Sequence, residues 1–281
     1  MSAATSPRRP RRLPRARVSG GLALVLAAAL LAGPNAAPAP AAAAAPLVAP
    51  LPDAVDVGQT LTVRGRATAG TTVAVQTRQG GAWRTAARAT ASGSGAFRAA
   101  VRFTAGGPAQ VRAVVGDRAS NTQRLAVYGW LDLATQPILV GSAAYVDVPA
   151  TIGGASFPHS LLVQGGSASV WWRVDRQCTE VRYTLGLEDT EFPRSDGDEE
   201  VVSRVYALDE GVGSASGEVV AGWYTASPVT LRGLAQAERL VITGTLRDLD
   251  ADGLSIVIGT PRARCNAARL GPVSRSDTHV P

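Results

Sequence analysis

The sequence contains no lysine; all 28 of its basic Lys/Arg positions are arginine. It has two cysteines, Cys178 and Cys265, and two histidines, His159 and His279. That leaves little material for a protein-built zinc site or a triad that turns on a histidine. Aromatic residues make up only 5%. No long amphipathic helical pattern is present, and neither is Gly-x-Ser-x-Gly, His-Glu-x-x-His, a P-loop or a dinucleotide fingerprint. The apolar run Gly20–Ala32 has thirteen residues. As a helix it spans about 20 Å, short of the ~30 Å hydrocarbon core of a bilayer. These absences argue for a noncatalytic protein. Paired carboxylates for glycoside hydrolysis are the one catalytic arrangement left open, since acids abound and their separation in space is not visible in a sequence.

What is present is apolar, glycine-rich and turn-rich. Hydrophobic residues reach 46% of the 281, enough to bury a core and to exclude wholesale disorder. Thirty glycines and eighteen prolines punctuate the chain into short segments, the mark of many strands. The pI of about 10.1 misleads. Six arginines crowd the first seventeen residues, whereas from Leu47 onward 22 arginines face 22 acids. A nucleic-acid partner therefore loses its electrostatic support.

The arginine cluster, the short apolar run and the small residues after it make a secretory signal, cleaved near Ala37 or within Ala41–Ala45. Residues 1–45 are read as signal and Ala/Pro-rich spacer, leaving no membrane span in the mature chain. The expected location is secreted, extracellular or associated with the cell wall. In an oxidising compartment two cysteines favour a Cys178–Cys265 disulfide.

Charge divides the remainder. Leu47–Tyr128 carries ten arginines and three acids, a net +7; Gly129–Pro281 carries twelve and nineteen, a net −7. The reading is two units, 46–128 and 129–266, then a flexible tail, 267–281. In the first, period-two alternation runs through 61–66, 73–78, 83–88, 97–103 and 111–115, with Trp83 placed on the apolar side and arginines opposite. With turn signals at 69–70, 80–81, 92–95, 106–108 and 116–117, this predicts an immunoglobulin-like β-sandwich. The arginine-bearing faces read as solvated strand faces; the functional alternative is contact with an acidic polymer. The second unit alternates over 170–175, 181–187 and 254–258, which predicts a jelly-roll-like sandwich. The fold class is thus all-β, an Ig-like sandwich followed by a jelly-roll-like one.

Several pieces of the second half occur in a suggestive order: Tyr128-Gly129-Trp130-Leu131-Asp132-Leu133, Gly154 to Ser160, Cys178 to Asp189, Val201 to Gly211, and Asp252-Gly253 to Pro261. Together they resemble the NPCBM family, a novel putative carbohydrate-binding module. Glu188 stands where that family has an aspartate, and Asp209-Glu210-Gly211 interrupts its Asp-Gly pair. The resemblance implies a β-sandwich that binds carbohydrate without catalysis.

Sugars are held by aromatic faces with a few placed polar groups beside them. If Trp172 points inward with Val170 and Val174, Trp171 points outward and is a candidate ring. Trp223 and Tyr224 are candidates at a turn, and Trp130 is expected to be buried at the junction. His159 is a candidate sugar or metal contact, or else a histidine bonded to local backbone. Glu188 and Asp189 are candidates to accept hydroxyl protons, to hold Ca²⁺, or to fix a loop through backbone N–H groups. The acidic stretch Glu188–Glu200 and the D-x-D-x-D-G sequence at 248–253 suggest Ca²⁺, but Gly259 stands where a calcium loop needs its bidentate Glu, so an acidic hairpin turn is preferred. No cofactor is required. The expected partner is a polysaccharide or other glycan, with cell-envelope contact; the alternative is a structural or protein-interaction module in which the oppositely charged halves dock.

Overall fold

The computed structural model describes residues 44–140, 144–189, 200–209, 212–222, 224–247 and 254–274. The signal segment, Trp223, most of the acidic stretch (190–199) and the 248–253 turn lie outside the described residues.

The first nine strands are β1 (Leu47–Val48), β2 (Ala54–Asp56), β3 (Thr60–Arg66), β4 (Thr72–Arg78), β5 (Arg84–Thr90), β6 (Ala96–Arg102), β7 (Gly107–Val115), β8 (Arg118–Ala119) and β9 (Gln123–Asp132). Sheet β1-β3-β6 faces sheet β5-β4-β7-β9, with β2 running parallel to β9 and β8 paired to β7. The alternation read in the sequence explains the packing. Val63, Val73, Val75, Phe97, Val101, Val111 and Val127 point into one core between the sheets. The arginines of the same strands point to solvent.

Strand β5 breaks the parity. A register shift sets Val75 opposite Ala87 but Gln76 opposite Thr85, so Ala86 is an extra residue. Trp83 is thereby carried away from the core side, where the alternation had placed it. It lies instead against the guanidinium groups of Arg78 and Arg112, 4.9 and 4.2 Å from the ring centroid.

The second half adds β10 (Leu139–Val140), β11 (Ala144–Ile152), β12 (Ala155–Gln164), β13 (Ser167–Arg173), β14 (Cys178–Leu187), β15 (Glu200–Asp209), β16 (Val212–Gly222), β17 (Ser227–Arg232), β18 (Arg239–Leu246) and β19 (Ser255–Cys265). One sheet is β10-β13-β18-β15-β16. In the other, β14 lies between β17 and β19. The far edge of β19 pairs first with β12, itself paired to β11, and then with β9. From β13 to β19 the chain passes repeatedly between the two sheets, as a jelly-roll-like sandwich does. Trp172 sits fully buried between the sheets, and its indole N–H donates to the Leu133 carbonyl at 3.0 Å. Tyr183 is buried with its hydroxyl 2.9 Å from Ser203 Oγ, and burial pushes its pKa to about 12.

Ala43–Pro281 makes up one compact unit. Strand β9 belongs to both cores: its first half pairs with β7 and β2, and its last four residues pair with β19. An ion pair also crosses the junction. It joins Arg264 of the acidic half to Asp56 of the basic half, opposite in sense to the net charges.

Of the segment expected as a flexible tail, the described residues 267–274 pack against the second half. Ala267 and Leu270 are buried, Gly271 bridges to Arg173, and the Leu270 N–H donates to Gln136 Oε1 at 3.0 Å. Among the described residues no helix is long and apolar enough to cross a membrane.

Cys178 and Cys265 face each other across β14 and β19 and are disulfide-bonded, closing a loop of 87 residues. A loop of that length restricts the unfolded chain by about 4–5 kcal/mol. The double variant C178S/C265S is expected to lose stability of that order in urea unfolding of the non-reduced protein; an unchanged midpoint would show that the bond contributes nothing.

Candidate functional site

The β11–β12 hairpin is the first feature that gathers predicted residues. Its turn, Gly153-Gly154, needs φ values of +59° and +78°, which glycine adopts without strain. Both of its N–H groups donate to the Asp189 carboxylate, each at 2.7 Å. Next to it, buried Glu188 accepts from the Thr151 N–H at 3.2 Å and from Thr151 Oγ1 at 3.1 Å. The Asp189 N–H returns a bond to the Thr151 carbonyl at 3.0 Å. The two acids therefore fix a loop, one of the three roles open to them in the sequence.

The clamp draws the hairpin over the sheet, and glycines make room for it. A Cβ at position 186 would lie 2.2 Å from Ile152 Cγ2, and one at position 259 would lie 2.8 Å from the Phe157 ring. A Cβ at position 153 would meet the Tyr224 carbonyl at 2.4 Å. Tyr224 thus stands beside the hairpin turn, 59% exposed, with a φ of +55°.

His159, on β12, lies across from a bulge in β11 where Asp147 adopts a φ of +55°. Its Nδ1 is 2.6 Å from Asp147 Oδ1 and 3.8 Å from Asp132 Oδ2. The hydrogen bond to Asp147, helped by the charges of both aspartates, raises its pKa above 6.5 against desolvation and Arg262. Its partner is thus a side chain, not the local backbone. Among the described residues no group of three His, Cys, Asp or Glu is placed to hold a metal ion.

Trp171 is not where an outward ring was expected to be. It points away from Trp172, as the alternation requires, yet it is only 4% exposed. Leu208 and Val241 pack with it, and Leu139, Tyr206 and Val273 close the cluster. The folded-back segment that carries Val273 contributes to this cover. No sugar ring can stack on the indole in this arrangement.

Among the described residues the most exposed indole is Trp130, at 44%, which corrects the expectation of burial at the junction. Its neighbours follow from register. Trp130 pairs with Arg264 and Asp132 with Arg262; across β19, Arg264 pairs with Glu180 and Arg262 with Arg182. The Arg182 guanidinium lies 4.7 Å from the Trp130 ring centroid, and its Nε donates to Glu180 Oε1 at 2.6 Å. Arg264 stacks on Tyr128 at 4.4 Å and donates to Thr179 Oγ1 at 3.0 Å. The result is an open strip of sheet with one indole, fixed guanidinium groups and carboxylates. The strip could have been read in the sequence: Leu125, Val127 and Leu131 share a parity, so Trp130 falls on the other face.

No protein-family model matches the chain, and no curated protein matches it. Solved structures overlap it in part. A family two carbohydrate esterase from Cellvibrio japonicus is 10% identical over 52% of this chain, with a TM-score of 0.31. SGBP-B of the Bacteroides ovatus mixed-linkage glucan utilization locus, in complex with mixed-linkage heptasaccharide, is 10% identical over 75%, at 0.21. Trypsin-activated alpha-2-macroglobulin from Escherichia coli is 13% identical over 83%, at 0.25. The chain spans 36%, 49% and 16% of those proteins respectively. Overlaps this partial bear on neither fold nor activity.

Two outcomes test the geometry. Asp189→Ala removes both bonds to the hairpin turn and is expected to cost about 1–3 kcal/mol in urea unfolding; no change would show that the turn holds itself. His159 should titrate above 6.5 by NMR, and Asp147→Asn should bring the midpoint down. Because its folded pKa is raised, its contribution to stability is complete below 6.5 and fades as pH rises through the folded value. A midpoint at or below 6.5 in the parent would contradict the contact.

Proposed function

We propose that the protein is an exported, noncatalytic carbohydrate-binding protein that meets its glycan on the outer face of the β9–β19–β14 sheet. The observation that carries this is the exposure of Trp130 beside the Arg182 and Arg264 guanidinium groups, each fixed by a carboxylate. An indole presents a flat apolar surface to the C–H face of a pyranose. Arg182 and Arg264 donate, and Glu180 and Asp132 accept, so both kinds of hydroxyl contact lie within one strip. The strip is a flat strand surface, which suits a chain polysaccharide better than an enclosed small molecule.

Export is supported by the basic-apolar-small order of the N-terminal sequence and by the disulfide, which belongs in an oxidising compartment. A binding rather than hydrolytic role is part of this proposal and draws support from the structural engagement of the candidate acids and histidine. Glu188 and Asp189 serve the hairpin, and His159 is bonded to an aspartate. Tyr224, beside the hairpin turn, is a second exposed ring that a long glycan can reach.

The test is a glycan array of cell-wall and environmental polysaccharides probed with the full chain. Binding is expected, with at least a tenfold loss in Trp130→Ala and an unchanged thermal midpoint. Trp171→Ala is expected to lower the midpoint instead, by about 3–5 kcal/mol of stability. Silence across the array, or full binding by Trp130→Ala, would overturn the reading.

A further inference from the structure

Six arginines of the second half and three on one face of the first have different kinds of partner. In the second half Arg173, Arg176, Arg182, Arg232, Arg247 and Arg264 each sit within ion-pair distance of a carboxylate. On the outer face of the first sandwich, Arg78, Arg112 and Arg124 have no carboxylate at that distance among the described residues. Register brings them together. Arg78 pairs with Gln110 and Gln110 with Arg124 across β4, β7 and β9, and Arg112 lies one outward position away, opposite Gln76.

The side chains are also held in place. Arg78 donates to Gln110 Oε1 at 2.5 Å and Arg112 to Gln76 Oε1 at 2.9 Å. Both guanidinium groups lie against Trp83, which the bulge in β5 turned onto this face. Neutral amides and an indole fix these cations without cancelling their charge. Beside them opens a cleft of about 710 Å³, lined by Arg78, Gln110 and Arg124, by the Gly80-Gly81 turn, and by Asp53 and Asn266. That volume falls within the ~300–1,000 Å³ usual for small-ligand sites.

We infer that this cleft binds an acidic saccharide, a sugar that bears a carboxylate. Arg78 and Arg124 take the carboxylate, and Gln110, Asn266 and Asp53 take ring hydroxyls. The mixed lining selects the class. Asp53 accepts hydroxyl protons, which a sugar ring supplies and a DNA phosphodiester backbone does not. Two guanidinium groups already lie against the nearby indole, where a nucleobase would have to stack. Bidentate guanidinium–carboxylate contacts supply direction as well as charge. The site is separate from the Trp130 strip and does not depend on it.

The experiment is calorimetric titration of the full chain with tri-galacturonate at low salt, against maltotriose and a short single-stranded DNA of equal charge. Tri-galacturonate is expected to bind, maltotriose not to bind at this site, and the DNA to bind at least tenfold more weakly. R78A/R124A should weaken tri-galacturonate binding at least tenfold, and Trp130→Ala should leave it unchanged. Arg124→Glu gives the same readout from an exposed position if the double variant melts early. No tri-galacturonate binding, equal binding by the folded variants, DNA binding as tight as tri-galacturonate, or binding lost only in Trp130→Ala would each overturn the inference.

Discussion

Everything in this molecule depends on the backbone hydrogen bonding of one strand. Strand β9 enters as an inner strand of the first sandwich and leaves as a partner of β19 in the second. No linker separates the two cores; a single pleated segment serves both. A strand's side chains alternate strictly, so fixing Val127 in the first core also fixes Leu131 against the second and Trp130 on the outside. The aromatic position is thus set by two hydrophobic cores at once. The disulfide at the end of β19 and the Arg264–Asp56 pair reinforce the same seam.

That seam separates two kinds of electrostatic surface. On the β14–β19–β9 face Arg182 bonds Glu180 two residues away on its own strand and Arg264 bonds Asp56 of β2, so the Trp130 strip is polar and carries both signs of charge. Along β4 and β7, Arg78 and Arg112 are oriented by glutamines and by Trp83 and keep their charge. Exposed ion pairs contribute little to stability, so both arrangements are more informative about what each face meets than about how the fold is held. The strip sets donors and acceptors side by side, whereas the first-sandwich face sets cations beside amides and an indole.

The sequence made the architecture legible where the physics is local. Alternation in β3, β6 and β7 marks one buried face apiece, and the Gly-rich turns mark the strand ends. Two cysteines behind a signal-like N-terminal sequence mark the disulfide. It failed where the deciding partner is remote. Trp171 points outward as its parity requires, but its cover comes from Leu208, Val241 and Val273, and the last lies on a segment that sequence composition presents as a tail. Glu188 and Asp189 bond across some 36 residues of separation to a hairpin turn, a pairing that no local pattern announces. Trp83 changed faces because one extra residue entered β5. Trp130 is the instructive case: its outward parity was readable, and the expectation that a domain junction must bury its aromatics hid it.

The most direct measurement follows the indole N–H resonances of the protein during titration with a glycan that it binds. Trp130 should shift, while Trp171 and Trp172, enclosed in their clusters, should stay in place. Movement of Trp171 or Trp172 with Trp130 unmoved would contradict the assignment of the sheet face as the surface that meets carbohydrate.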